Sequence, residues 1–122
     1  SSWNYGTATW RAINNDTTNQ LRFIIGLSED AVRALHSIRA GVDNNENYIT
    51  GIGLDSSSAL ASDAHQAQIG SGGDTFNASL TSQYLGYPGI GRHTLIPIEY
   101  ASTASATAYG GDNQKFTVTI WG

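Results

Sequence analysis

The sequence predicts an all-β fold, an antiparallel β-sandwich of about eight strands arranged like a jelly roll. Three observations carry that expectation. Serine, threonine, asparagine and glycine supply 48 of the 122 residues, and such residues satisfy backbone groups in turns and dress strand surfaces. Charged residues make up 13%, with three glutamates and one lysine, about half the usual share and too few to clothe the solvent faces of helices. Apolar and polar residues alternate with period two from end to end, with turn chemistry between the runs.

The alternation first appears over Ala8–Ile13, and the polar cluster Asn14–Asn19 reads as a turn. Leu21, Phe23 and Ile25 then mark a core strand that ends at Gly26, and the two runs look like a hairpin. Ser28–Val42 fits two periods, but Val32, Ala34, His36, Ile38 and Ala40 alternate, so a strand is expected over residues 32–40. Asp43–Asn47 is a loop by composition. Tyr48–Leu54 alternates again, and Gly51 and Gly53 on one face imply that something packs closely there. Asp55–Asp63 reads as an irregular connection, Ala64–Ile69 as a short strand, and Gly70–Asp74 as a turn. Thr75–Leu85 is the longest alternation, with Phe76, Ala78, Leu80, Ser82 and Tyr84 on one face. Gly86–Gly91 is a loop, and Arg92–Ala101 a strand whose Pro97 belongs at an edge or bulge. Ala106–Tyr109 and Lys115–Trp121 are strands around a tight turn at Gly110–Asn113. The expected core holds Leu21, Phe23, Ile25, Leu80, Phe116, Val118 and Ile120.

Composition also limits function. The chain has no cysteine, which excludes disulfides, thiolate zinc sites and cysteine nucleophiles. A net charge of −4 with six basic residues argues against sequence-independent nucleic-acid binding, which needs a basic surface to displace counterions. No apolar run approaches the ~20 residues of a membrane-spanning helix. Length fits a single domain over residues 1–122. Methionine is missing even at position 1, so a piece of a longer chain is expected.

Candidate chemistry is sparse. Gly70–Asp74 lacks the Lys-Ser or Lys-Thr of a phosphate loop and the order of a nucleophile elbow, so a β-turn fits better. His36, His65 and His93 are far apart, and no spacing preorganises them with Asp63 or Glu99 for a metal or a triad. Glu99 and Asp74 are a possible carboxylate pair, but ten acids supply such pairs by chance. Two sequons, at Asn15 and Asn77, are equally expected by chance. Asp43, Asn45 and Glu46 form an oxygen-rich loop, a weak calcium candidate without the EF-hand pattern. No catalytic residue, cofactor or firm metal site is expected. Nine Trp and Tyr residues with few charges suit a recognition surface or a subunit interface.

Several stretches carry a resemblance. They are Gly89-Ile90-Gly91-Arg92-His93-Thr94-Leu95, Glu99-Tyr100, Thr107-Ala108-Tyr109-Gly110 and the closing Trp121-Gly122. Upstream, Gly26–Ala31 and Gly51–Ser57 add to them. Together they resemble the C-terminal domains of phage virion proteins, the tips of head fibres, tail fibres and spikes. The resemblance implies a tumour-necrosis-factor-like jelly roll at the end of a stalk, forming a homotrimer on the virion surface. It also implies attachment to a host-surface glycan or protein without catalysis, cofactor, nucleic acid or membrane insertion. The loop Gly86–Gly91 is the expected contact, with Tyr87, Ile90 and Arg92 as ligand-binding residues; the alternative is that Tyr87 packs over the end of the sandwich. Ile96, Ile98, Tyr100, Tyr84 and Leu85 are the expected trimer contacts, on strands with two apolar faces. The alternatives are a carbohydrate-binding module of a secreted enzyme, a purely structural trimerisation domain and, last, a small hydrolase.

Overall fold

The computed structural model describes residues 1–102 and 106–121. Gly122, at the end of the resembling stretch, lies outside them. The elements are β1 (Ser2–Tyr5), β2 (Arg11–Ala12), a 3-10 turn (Ile13–Asn15), β3 (Leu21–Ile25), β4 (Val32–Val42) and β5 (Asn47–Leu54). They continue with β6 (Ala64–His65), β7 (Ala67–Gly70), β8 (Phe76–Gly86), β9 (Gly91–Ala101) and β10 (Ala106–Ile120).

Pairing is nested from the two ends of the chain inward: β1 with β10, β3 with β9, β4 with β8, and β5 with β7, all antiparallel. The chain is therefore a long hairpin rolled on itself, the jelly-roll arrangement. One sheet has the order β1-β10-β4-β8-β6; the other has β2-β9-β5-β7, with β3 also on β9. The period-two pattern explains why the sheets meet as they do. On β4, Val32, Ala34, His36, Ile38, Ala40 and Val42 are all buried while Arg33 and Arg39 face water.

The inner faces make two apolar clusters with a polar layer between them. One cluster contains Ile38, Tyr48 and Leu80; the other contains Ala34, Ile52 and Tyr84. His36, Thr50 and Ser82 occupy the alternate positions between those residues, and all are fully buried. His36 lies opposite Ser82 in one sheet, and Thr50 lies opposite Glu99 in the other. A third cluster, Ala12, Ile96 and Ile98 with Trp10, covers the outer face of β9. Leu60 and Trp10 pack onto Gly51, and the carbonyls of Ser56 and Ala59 lie over Gly53. The close approach expected at those two glycines is present.

Several local expectations are corrected. The runs at residues 8–13 and 21–25 form no hairpin. β2 faces Ile98–Glu99 and β3 faces Gly91–Leu95, so both run antiparallel to β9 and lie end to end along it. Asn14 and Asn15 have φ of 55° and 52°, and this left-handed pair ends β2 early, a conformation asparagine tolerates. Residues 64–69 divide between the sheets, β6 pairing with β8 and β7 with β5. The expected turn at Gly110–Asn113 is a four-residue bulge within one long strand, since Tyr109 pairs with Arg39 and Gln114 with Ile38. Pro97 lies in a strand with neighbours along both sides, but at a gap between two of them, so that locally it stands at an edge as expected. On one side β2 ends opposite Ile98 and β3 begins opposite Leu95, so no strand faces Pro97 there.

Three members of the expected inner faces are wrong in detail. Leu21 is 37% exposed and Ile120 44%, and Phe76 is also exposed; all three stand at strand ends with a neighbouring strand on one side only. Phe116 and Val118 do pack against the core, half-buried on the part of β10 that β1 does not reach. The expected trimer contacts Ile96, Ile98 and Tyr84 are buried within a single chain, and Tyr100 packs on Trp10 at 5.4 Å. Leu85 alone of that set is an exposed apolar side chain.

Candidate functional site

Register places several chain segments at one end of the sandwich. Gly86 and Ile120 both pair with Val32, Ile25 pairs with Gly91, and Trp121 N–H donates to the Ala31 carbonyl at 2.9 Å. The connections 26–31 and 87–90 therefore meet there. Nine large apolar side chains are exposed among the described residues, and seven belong to this end: Ile24, Leu27, Leu85, Tyr87, Ile90, Ile120 and Trp121. Tyr87 is 66% exposed and Ile90 68%, so Tyr87 does not cap the core. Arg92 is exposed and lies opposite Ile24. The structure thus brings Tyr87, Ile90 and Arg92 to the same end. Trp121, one of the nine Trp and Tyr residues suited to a recognition surface, joins them, as do Ile24 and Leu27, which nothing in the sequence pointed to.

The loop bearing Tyr87 is anchored at its base. Gly89 and Gly91 have φ of 94° and 122°, values that suit glycine alone among ordinary residues. His93 bonds the Gly89 carbonyl through Nε2 at 2.9 Å and the Asp55 carboxylate through Nδ1 at 2.8 Å. Both partners are oxygen atoms, and the ring spans the gap between them. Asp55 in turn accepts from Thr94 N–H at 2.8 Å and donates its own N–H to the Thr94 carbonyl at 2.8 Å. The reading of His93 as an isolated histidine is corrected: its ring bridges the Gly89 carbonyl and the Asp55 carboxylate. The carboxylate is 38 positions away, and no spacing rule points there. With both nitrogens engaged, His93 has none left to take a proton from a substrate.

The remaining candidates are dispersed. His36 is buried and donates from Nε2 to Gln114 Oε1 at 2.9 Å, and burial pushes its pKa down to about 4. His65 is exposed on β6. Glu99 is fully buried and accepts from Trp3 Nε1 (2.9 Å), Tyr48 Oη (2.7 Å), Arg11 Nε (2.7 Å) and Asn14 N–H (3.0 Å). Both its oxygens are occupied, whereas Asp74 sits on an exposed turn, so the two are not arranged as a carboxylate pair around a sugar. Among the described residues no three His, Asp or Glu side chains gather as metal ligands.

The calcium candidate lies at the other end of β4. Val32 to Val42 spans roughly 30 Å at ~3.3 Å per residue, and this length separates the Tyr87 loop from the Asp43–Glu46 turn. A cleft of about 190 Å³ is lined there by Gly41, Val42, Asp43, Glu46, Thr75, Asn77, Thr107 and Tyr109. Asn45 takes the left-handed position of the turn, with φ of 59°, and does not line the cleft. No known protein family matches the chain, and no curated protein is recognisably similar to it.

Proposed function

We propose that the domain is a non-enzymatic attachment module, the knob of a virion fibre or spike. On this reading it forms a homotrimer at the virion surface and holds a host-surface glycan or protein at the end that carries Tyr87, Ile90 and Arg92. The observation that carries the reading is the gathering of seven exposed apolar side chains at that end. A soluble domain with few charges gains nothing from such a surface unless a partner covers it. Tyrosine suits the role, because it offers a large contact area at low entropic cost. The anchored base of the loop adds support, since a contact held in place before binding loses less entropy on binding. The nested strand order is also what the resemblance to fibre and spike tips implies.

The test combines light scattering with binding to a printed array of bacterial surface glycans and to bacterial cells. A mass three times 13.0 kDa is expected, together with binding that Tyr87→Ala weakens at least tenfold at an unchanged melting temperature. Binding that survives Tyr87→Ala and Ile90→Ser together overturns the site. A second reading, a carbohydrate-binding module, is favoured by a polar cleft of about 380 Å³ beside Trp3, Asn14, Asp16, Asn19 and Gln114. An indole with amides and a carboxylate is a donor and acceptor set suited to sugar hydroxyls. A monomer whose glycan binding is lost in Asn19→Ala but kept in Tyr87→Ala would select it.

A further inference from the structure

We propose that the cleft between Asp43, Glu46, Thr75 and Asn77 is a calcium site. Glu46 lines the cleft, is only 8% exposed, and its Oε2 has no hydrogen-bond partner. A buried carboxylate ordinarily finds a cation or a set of donors. Among the described residues the carboxylates with a basic side chain at hand are Glu99, beside Arg11, and Asp55, beside His93; Glu46 has none. Arg39 is held over the Tyr109 ring at 4.9 Å and pairs with neither carboxylate of the cleft.

The turn puts a second acid, Asp43, on the lining of the same cleft. Glu46 N–H donates to the Asp43 carbonyl at 3.0 Å, which closes the turn and holds both acids on it. Asp43 Oδ1 accepts from Thr75 Oγ1 at 3.0 Å and from Asn44 N–H at 3.1 Å, while its Oδ2 accepts no hydrogen bond among the described residues. Asn77 Oδ1 lies against Gly41, where a Cβ would take its space. Ser71 N–H donates to the Glu46 carbonyl at 3.1 Å, tying the 71–74 turn to the same place. The side-chain donors are all oxygen, two of them anionic, with no sulfur or imidazole. That set is hard, and an open cleft leaves room for the waters that complete six to eight ligands, which suits calcium better than zinc or copper. Two carboxylates predict a dissociation constant of about 10⁻⁴–10⁻³ M.

The experiment titrates chelator-treated, dialysed protein with calcium chloride and, separately, magnesium chloride, reading heat and melting temperature. One calcium per chain is expected, with a melting temperature that rises by several degrees at saturation and weaker binding of magnesium. Glu46→Gln should weaken calcium binding at least tenfold while melting, without calcium, no lower than the parent protein. Asn45→Gly, which keeps the turn conformation outside the cleft, should bind like the parent. No saturable heat up to 10 mM calcium, or binding that survives Glu46→Gln, overturns the site. Because the cleft and the Tyr87 loop lie at opposite ends, Tyr87→Ala should leave calcium binding unchanged, so the two proposals fail separately.

Discussion

Two of the three glutamates are almost lost to solvent, and they are held in opposite ways. Glu99 is fully buried and receives four hydrogen bonds, from β1 through Trp3, from β2 through Arg11, from the 3-10 turn through Asn14 and from β5 through Tyr48. Arg11 also lies over the Tyr5 ring at 3.9 Å. Burial, helped by the charge of Glu99, raises the pKa of the Tyr48 phenol well above its usual range and keeps it a donor. Glu46 is 8% exposed and has an oxygen with no partner. The difference separates two uses of a buried charge. With its donors supplied from within the chain, a carboxylate fastens five segments together; without them, it is a place for something from outside.

Replacing Glu99 by Ala should break the molecule most. It orphans Trp3 Nε1, the Tyr48 hydroxyl and Asn14 N–H and leaves Arg11 unpaired, a loss of about 3–5 kcal/mol for breaking a buried pair. Set against a typical total of ~5–15 kcal/mol, this is large, and urea unfolding measures it. A loss below about 1 kcal/mol would mean that Glu99 does not fasten the fold.

The third buried ionisable group to compare is His36, kept neutral with its pKa pushed down to about 4 by burial, against a weaker upward pull from the Gln114 hydrogen bond. The unfolded chain, with a histidine near its ordinary pKa of 6.5, binds the proton first. Stability from this group is therefore full above about pH 6.5 and declines as pH falls to about 4, by on the order of 3 kcal/mol in all. His36→Gln should flatten that part of the stability–pH curve; an unchanged slope would show that His36 is not buried neutral.

Tyr48→Phe removes one of four donors from Glu99 and should cost about 1–3 kcal/mol, the range for leaving a buried acceptor short of a partner. Glu46→Gln in calcium-free buffer should change stability by less than about 0.5 kcal/mol or raise it slightly, since no internal pair is lost. If Glu46→Gln destabilised as much as Tyr48→Phe, the contrast between the two carboxylates would collapse.

The sandwich was readable because alternation is local. Thr75 to Leu85 announces its strand whatever lies opposite, Val32 to Val42 does so once the all-β composition has chosen between its two periods, and the paired glycines at 51 and 53 announce a close neighbour. The polar clusters at 43–47 and 70–74 mark turns, because asparagine, aspartate, serine and glycine bond or bend the backbone where they stand. Pairing is a different matter. Nothing within residues 8–25 says that β2 and β3 share one edge of β9 instead of each other, and nothing within 64–69 says that the strand changes sheets at Gln66. Glu99 could be discounted as one acid among ten because its four donors come from positions 3, 11, 14 and 48. The same distance in sequence hid the bond between His93 and Asp55. Strand identity, inward faces and turns belong to the sequence by itself, through residue spacing and backbone preference. The partners of those faces, the fate of each buried charge and the gathering of apolar side chains at one end were decided only by the tertiary structure, because they depend on contacts between residues tens of positions apart.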